Sequence, residues 1–398
     1  MKKAAAISES FREQSGIRGV MMFCKDYLGT TEVTKVYKNF GAGAIGIIKD
    51  NPYILCEAPC ALPFDKIDVM AASFGYDMSS RNRILSGAKY ILGYNAGANG
   101  HTCLPIDKLI LAVAQHLEIS AELSRDMIDS FLRCEELSYY NDEDTIYVMS
   151  NEVSRAETVI AAKLADLSES AGRLSVGDVA TLIEKVENDS GLVYARGQRS
   201  ALIEALTRGV IILTGGPGTG KTTVVKALVS IFTSLQMKIV LTAPTGRAAK
   251  RLSEATGCES KTIHRMLEME KGVAGDFHFC RNERNPISES VVIVDEASMI
   301  DLELLQALLR ALKRGTRLML IGDIDQLPSV GAGNVLSDLI ASKRIPTVRL
   351  DEIFRQSRES MIVINAHKIN AGERPNLCAV DSDFFFVGRP FEKDIPKT

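Results

Sequence analysis

The sequence lacks the long apolar run that a membrane span or a secretory signal requires. No uninterrupted apolar stretch in its 398 residues approaches the roughly 20 residues that cross a bilayer. The N-terminus passes from Met1 through Lys2 and Lys3 to polar Ser8 and Glu9, without the apolar centre of a signal peptide. We therefore expect no export, no membrane and a cytoplasmic location.

Paired cysteines are also missing. The eight cysteines are scattered and none forms a Cys-x-x-Cys pair, which argues against a disulfide framework and against a zinc site. A group of Cys56, Cys60, His101 and Cys103 matches no familiar zinc spacing. A reducing compartment fits this pattern best.

The chain has little net charge, since 47 basic residues face 50 acidic ones and leave −3. A general polyanion binder would be basic throughout, so any contact with nucleic acid must be local. Hydrophobic residues at 46% and charged residues at 24% are typical of a folded globular chain. The length indicates two or three domains.

Helical periodicity dominates the chain up to about residue 195. Apolar residues recur at three- and four-residue spacing over residues 31–40, 65–74, 106–116 and 155–167. Residues 146–149 are the one good strand candidate in this part, and one more helix is expected between 172 and 191. The pattern predicts a mostly α-helical N-terminal domain.

From Gly209 onward, short β-branched strands alternate with helices. The strands are predicted at residues 210–213, 238–242, 291–294 and 317–321. Four buried strands separated by helices predict a parallel sheet covered on both faces, which is a doubly wound α/β domain. A further strand at 347–350, after Pro346, is expected to begin another domain.

A glycine-rich segment follows the first of these strands and precedes a helix predicted at 223–235. That is the context of a P-loop, in which backbone N–H groups surround the β-phosphate, Lys221 reaches the β and γ oxygens, and Thr222 ligates magnesium. ATP and Mg²⁺ are the cofactors this predicts. The candidate nucleotide-binding residues are Gly215, Gly216, Pro217, Gly218, Thr219, Gly220, Lys221, Thr222 and Thr223.

Two carboxylates end the continuous apolar strand at 291–294. Asp295 is predicted to hold magnesium through water, and Glu296 to orient and deprotonate the attacking water. The alternative is an acidic pair that caps the next helix. The P-loop favours the catalytic interpretation.

Five segments together resemble the RecD-type superfamily 1 DNA helicases, with matching order and spacing from Gly209 to Gln356. They are GGPGTGKTT at 215–223, APTGRAA at 243–249, TIHR at 262–265, DEASM at 295–299 and GDIDQLP at 322–328. The resemblance implies an α/β fold, namely a P-loop RecA-like doubly wound parallel sheet preceded by a mostly α-helical N-terminal domain.

The resemblance assigns three further roles at the nucleotide. Gln198 resembles the glutamine that reads adenine, although a glutamine before a helix is often only solvated. Gln326 resembles the residue that senses the γ-phosphate. Arg355 resembles an arginine finger from a second motor domain, the alternative being a surface cation near Asp351 and Glu352.

It also implies a single-stranded DNA track. Backbone N–H groups, hydroxyls and basic side chains are suited to a phosphate chain, although His264 could instead belong to the core. The candidate DNA-binding residues are Pro244, Thr245, Gly246, Arg247, Thr262, His264 and Arg265.

The N-terminal part resembles the helix-hairpin-helix region of the longer-armed members of this family. Residues 51–55, 68–71, Gly75, Arg81 and 100–105 carry the likeness. The hairpin glycines expected before Phe64 are replaced by Cys-Ala-Leu-Pro at 60–63. A structural helical domain that does not bind DNA is therefore an alternative.

The resemblance implies an ATP-dependent DNA helicase motor with 5′-to-3′ polarity that acts in repair or recombination. Its partner would be single-stranded DNA, presented by a duplex with a 5′ overhang. An RNA-directed or protein-remodelling ATPase, and an ATP-switched DNA-binding module, are the alternatives.

The expected domain division has four parts: a hairpin region at 1–120, a connector at 121–190, a first RecA-like domain at 191–345 and the start of a second at 346–398. The later motifs of the second motor domain find no match near the end of the chain. We therefore expect the sequence to be an incomplete piece of a longer helicase, unable to unwind DNA by itself.

Overall fold

The structure is a computed structural model that describes residues 15–172, 175–272, 277–352, 360–378 and 383–387. The chain divides into two compact units, Met1–Arg155 and Ala156–Thr398. None of the described helices combines the length and apolarity needed to cross a bilayer. The finer four-part division stays a prediction.

The first unit is mostly helical, as predicted. Residues 15–23 form a helix. The further elements are α1 Thr30–Phe40, α2 Ala44–Asp50, α3 Phe64–Ser73, α4 Arg81–Asn99, β1 Leu104–Pro105, α5 Ile106–Leu117, α6 Ala121–Arg133, β2 Ser138–Asp142 and β3 Thr145–Met149. Short 3₁₀ turns span Gly41–Gly43 and Pro52–Cys56.

The expectation of a single strand in this unit is wrong. Three antiparallel strands form a small sheet in the order β1–β3–β2. β1 escapes sequence analysis because it has two residues, one of them Pro105. β2 escapes because it is largely exposed and ends in the polar pair Asn141 and Asp142, so it lacks the apolar alternation of a strand.

An ion pair between buried Arg83 and half-buried Asp68 lies beside the core of the first unit. Arg83 donates from Nε and Nη2 to the two carboxylate oxygens of Asp68, at 2.7 and 2.9 Å. The Tyr53 hydroxyl donates to the same carboxylate at 2.6 Å. Because these largely buried polar groups bond to one another, they fix the position of Tyr53, which belongs to the apolar core.

The second unit alternates strands and helices. α7 Asn151–Ser170 leads into it. It continues with α8 Val176–Ser190, α9 Arg196–Thr207, β4 Val210–Gly215, α10 Lys221–Ser234, β5 Ile239–Ala243, α11 Gly246–Thr256, β6 Ser260–Thr262, α12 Ile263–Met266, β7 Met269–Lys271, β8 Phe277–Phe279, β9 Val291–Val294, α13 Leu302–Ala311, β10 Arg317–Gly322, α14 Val335–Ala341, β11 Thr347–Leu350 and α15 Met361–Asn370. A 3₁₀ turn spans Ala297–Met299.

The predicted parallel sheet is confirmed. Six strands lie in the order β11–β4–β10–β9–β5–β6, and every neighbouring pair is parallel. Alternate residues such as Ile211 and Ile293 pack with α8 to α11 in one apolar cluster. Their neighbours Ile212 and Val292 are equally buried, so the sheet is covered on both faces.

The strand at 347–350 joins the sheet of the second unit. β11 pairs in parallel with β4, from Thr347 beside Ile212 to Leu350 beside Gly215. It is an edge strand of that sheet, and a second motor domain from residue 346 stays a prediction. α8 also packs in this unit, since Val179 and Ile183 belong to its core cluster.

The carboxyl ends of the parallel strands meet at one edge of the sheet, which is where such sheets bind ligands. β4 ends at Gly215, β10 at Gly322, and β9 just before Asp295. β5 and β6 end at Ala243 and Thr262, which are paired with each other. The topology thus gathers motifs that are far apart in the sequence.

Candidate nucleotide and nucleic-acid site

The segment after β4 has the backbone of a phosphate-binding loop. It leaves the strand at Gly215 and enters α10 at Lys221. Gly218 and Gly220 adopt φ of 76° and 83°, in the left-handed region that residues with a side chain rarely occupy. The strand, loop and helix context predicted from the sequence is therefore present.

At two glycines of this loop a side chain would collide with neighbouring atoms unless they moved. A Cβ on Gly215 would lie 2.7 Å from the carbonyl oxygen of Leu350 and 2.8 Å from Thr219 Oγ1. A Cβ on Gly216 would lie 2.7 Å from Cε1 of His367. The loop therefore lies against the end of β11 and against His367 of α15.

Lys221 begins α10 and its amine folds over the loop. Nζ donates to the carbonyl oxygens of Gly215 and, at 3.1 Å, of Gly216. Thr219 Oγ1 donates to the Gly216 oxygen at 2.8 Å and fixes the turn. Thr222, in the first turn of α10, keeps an exposed side chain. The amine therefore lies where an anion bound by the loop would meet it.

The two carboxylates after β9 face the same space. Asp295 N donates to the Thr242 oxygen at 2.9 Å, which extends the sheet pairing by one residue. Burial raises the pKa of Asp295, against the opposing effects of the Glu296 backbone N–H, Lys221 and Arg251. Burial also raises the pKa of Glu296, and Asp295 adds to the rise.

Glu296 has a strained backbone. Its φ of 53° and ψ of 42° lie in the left-handed region, where a residue with a side chain costs about 1–2 kcal/mol. Strain of this kind clusters at functional sites, where surrounding structure holds a side chain in one direction.

One cavity of about 880 Å³ unites these groups. That volume is in the range of small-molecule sites. It is lined by Leu192, Val193, Tyr194, Gln198, residues 216–223, Ala248, Arg251, Leu252, Ala255, Asp295, Glu296 and Gln326. Of the predicted nucleotide residues that the structure describes, Gly215 alone is absent from this lining, and it lies where β4 enters the loop.

Gln198 is part of this wall and is 3% exposed, which excludes a merely solvated surface glutamine. Its Oε1 accepts from Ala195 N at 3.1 Å, and its Nε2 donates to the Gly220 oxygen at 3.4 Å. The side chain thus joins the start of α9 to the end of the phosphate loop.

Gln326 lies in the loop after β10. Its N–H donates to the carbonyl oxygen of Asp323 at 3.3 Å, and its exposed side chain lines the cavity. Asp323 itself is buried and accepts from Asp325 N at 3.1 Å. Arg355 lies outside the described residues.

The two candidate DNA segments are neighbours at the end of the sheet. Thr245 caps α11 by accepting from Ala248 N at 3.2 Å, and Thr262 caps α12 by accepting from Arg265 N at 3.2 Å. Arg247 and Arg265 are exposed. Pro244 and Gly246 flank the first cap. The pairing of β5 with β6 therefore brings together two segments that are well separated in the sequence.

His264 is half-buried, so it is not an enclosed core histidine. Its ring lies 5.9 Å, between centroids, from the ring of Phe279 on β8. The β7–β8 hairpin is thereby connected to the second candidate DNA segment.

Known protein families match a part of each of the two units. The family described as "ATP-dependent RecD2 DNA helicase HHH domain" matches residues 13–103. The family described as "AAA domain" matches residues 193–383. An ATP-dependent RecD2 DNA helicase of Deinococcus radiodurans is 29% identical over 390 residues, which cover 93% of this chain and 53% of that protein.

The chain is similar to the RecD-like helicases in both of its units.

Two RecD subunits of RecBCD enzymes are similar to part of this chain. The Mycobacterium tuberculosis subunit is 38% identical over 204 residues, covering 44% of this chain and 34% of the relative. The Haemophilus influenzae subunit is 40% identical over 167 residues, covering 36% and 26%. The chain spans about half the length of the Deinococcus relative and about a third of the Mycobacterium one.

Sequence analysis missed three residues that the RecD-like fold places at the loop and cavity. Arg251 and Tyr194 line the cavity. His367, on α15, has its Nε2 3.4 Å from the Pro217 oxygen. No motif predicts them: Arg251 is one cation among several on α11, and His367 is 150 residues from the loop residue that it contacts.

Proposed function

We propose that this chain binds magnesium ATP in the cavity at the carboxyl edge of its sheet and hydrolyses it, as the motor of a DNA helicase. The observation that supports this most is the convergence of Lys221, Asp295 and Glu296 on one cavity beside a phosphate-binding loop. A lysine and N–H groups suit the phosphates, and carboxylates suit a divalent cation and a water molecule.

The donor set fits magnesium. Mg²⁺ takes oxygen ligands and retains several of its waters, and the Thr222 hydroxyl and the Asp295 carboxylate supply such oxygens. Burial raises the pKa of Asp295, so its negative charge lacks full compensation in the protein alone. We propose Thr222 and Asp295 as the magnesium residues. When bound, the ion would neutralise charge on the phosphate oxygens.

Lys221 would exchange its contacts with loop carbonyls for contacts with the phosphates, and would lower the charge that develops there during transfer. Glu296 would accept a proton from the attacking water. Its raised pKa suits this role, because a base is more effective when its pKa approaches the working pH.

Two glutamines and one arginine are given further roles at the nucleotide. Gln198 would read the adenine edge, since its amide lies in the cavity wall between α9 and the loop. Gln326 would respond to the γ-phosphate. Arg355 would neutralise transition-state charge, as an arginine finger does.

Single-stranded DNA is the proposed track, and the segments after β5 and β6 would hold it. They offer capping threonines, Thr245 and Thr262, and the exposed cations Arg247 and Arg265. A duplex with a 5′ overhang, 5′-to-3′ movement and a role in repair or recombination follow from the family, as part of the same proposal.

The test compares Lys221→Ala with Lys226→Ala, an exposed lysine on the same helix. Lys221→Ala should abolish ATP hydrolysis and weaken ATP binding, while Lys226→Ala should leave both near the wild-type values. Unchanged turnover in Lys221→Ala would remove the proposed site. Stimulation by single-stranded DNA should exceed that by RNA of equal length, and the reverse would identify an RNA-directed ATPase.

A further inference from the structure

A second cluster of chemically reactive side chains lies on the β7–β8 hairpin, away from the nucleotide cavity. Glu270, His278 and Cys280 bring a carboxylate oxygen, an imidazole nitrogen and a sulfur within 4.8 Å of one another. Among the residues that the structure describes, this is the one group with such spacing. It differs from the cysteine and histidine set considered from the sequence.

The hairpin backbone explains why these three side chains meet. Glu270 pairs directly with His278 across the two antiparallel strands, so their side chains share one face. Cys280 follows His278 by two residues and shares that face, because side chains alternate along a strand. Its N–H donates to the Glu268 oxygen at 3.2 Å, which continues the pairing past the end of β8.

The surroundings leave these donors available. Glu270 and His278 are exposed, and Cys280 is half-buried. Glu268, a further carboxylate two residues before Glu270, is held by Arg281 in an ion pair with a 2.6 Å Nη2–Oε1 distance. Partial burial and then the Glu270 carboxylate raise the pKa of the Cys280 thiol. An ion at this place would reverse that preference by binding the thiolate.

We propose that Glu270, His278 and Cys280 form a binding site for a divalent transition-metal ion of the Zn²⁺ class. Zinc accepts thiolate sulfur, imidazole nitrogen and carboxylate oxygen together, in tetrahedral sites that three protein ligands and a water complete. Magnesium and calcium take oxygen ligands and are not suited to this set. Binding would release the Cys280 proton, without any change of oxidation state.

The ion would join the two strands of a short hairpin. β7 and β8 pair over three residues each, and two strands alone are marginally stable in water. On the opposite face, Phe279 contacts the His264 ring. If His264 serves the proposed DNA track, the ion would also hold β8, whose Phe279 contacts the His264 ring. Metal binding itself does not depend on that function.

The test titrates Zn²⁺ into the chelator-treated chain of residues 1–398 against a metallochromic indicator, with neither ATP nor DNA present. We expect one site per chain. Cys280→Ser and His278→Ala should each weaken it by more than about tenfold, because even the loss of an outer-shell partner costs about 10–100-fold in metal affinity. Cys378→Ser, at an exposed free cysteine elsewhere, should bind as the wild type does.

Cobalt supplies a direct signature of the thiolate. Co²⁺ bound to the wild type and to Cys378→Ser should show sulfur-to-metal charge-transfer absorption, which Cys280→Ser should lack. Absence of a stoichiometric Zn²⁺ site, or equal affinity in Cys280→Ser and Cys378→Ser, would overturn the proposal. ATP hydrolysis is measured separately, so failure of the nucleotide site cannot be mistaken for failure of the metal site.

Discussion

The imidazole of His367 occupies the space that a side chain at position 216 would need. A Cβ on Gly216 would come within 2.7 Å of His367 Cε1, so one of the two must move if Gly216 is replaced. Gly216→Ala should therefore weaken ATP binding in the wild type and do so much less in a His367→Ala background. We expect a coupling free energy of about 0.5–3 kcal/mol between the two changes.

The measurement is the dissociation constant of a non-hydrolysable ATP analogue across the full double-mutant cycle. Gly93→Ala is the control, because a Cβ there would meet no atom within 4 Å. Equal effects of Gly216→Ala with and without His367 would mean that α15 does not constrain the loop.

Glu296→Gln should separate binding from chemistry. Glutamine preserves the size and hydrogen bonding of the side chain but cannot accept the proton of water, so turnover should fall by about 10²–10⁴ while ATP affinity persists. Steady-state hydrolysis and equilibrium binding check this, with Glu303→Gln, at an exposed glutamate on α13, as control. If affinity and turnover fell together, Glu296 would be a structural residue.

Asp295→Asn should raise the thermal stability of the nucleotide-free protein at neutral pH. The folded pKa of Asp295 lies above its ordinary value of 3.8, mainly through burial. The stability linked to this group is then fully present below the unfolded pKa and is lost as pH rises through the folded pKa. The gain in Tm of the variant should be largest near pH 7 and should disappear on acidification. A gain in Tm that did not change with pH would contradict this prediction.

Asp68→Asn should show the opposite sign. Burial alone would raise the pKa of Asp68, but Arg83 and Tyr53 outweigh it and hold the pKa below the ordinary value. Stability linked to this carboxylate is present above the unfolded pKa and is lost as pH falls through the folded pKa. The variant should have a lower Tm at pH 7, and thermal scans over a pH series should show the difference shrinking toward acid pH.

Arg247→Ala and Arg265→Ala should weaken single-stranded DNA binding without changing its sequence preference. In the proposed track each arginine contacts one phosphate, so its loss should lower the slope of log affinity against log salt by up to about one. Arg208→Ala is the matched control, since Arg208 precedes β4 and so lies at the opposite edge of the parallel sheet. Slopes equal to the wild type in both variants would assign these arginines to structure.

The sheet and the nucleotide loop can be predicted from the sequence because their signals are local. A fully buried strand such as Val291–Val294 is a continuous apolar run in the sequence. Gly218 and Gly220 adopt positive φ values that favour glycine, so the conformation of the loop is also visible in the sequence. The sequence identifies β11 as a strand but does not identify its partner. Pairing with β4 joins residues that are far apart along the chain, and nothing in the four residues themselves specifies that neighbour.

The candidate site likewise contains residues that the sequence predicts and residues that it does not. Lys221 and Asp295 lie in motifs, whereas His367 reaches the loop only through the packing of α15. The hairpin cluster escapes sequence analysis for a related reason: Glu270 and His278 become neighbours only when two strands pair. Side chains whose proximity depends on tertiary or cross-strand contact leave no pattern of spacing in a single sequence.

The carbonyl oxygen of Leu350 lies 2.7 Å from where a Gly215 side chain would begin. The end of β11 thus packs against the point where β4 enters the phosphate loop, and main-chain atoms make part of that contact. We expect a shift of β11 to move the start of the loop as well, whichever side chains the strand carries.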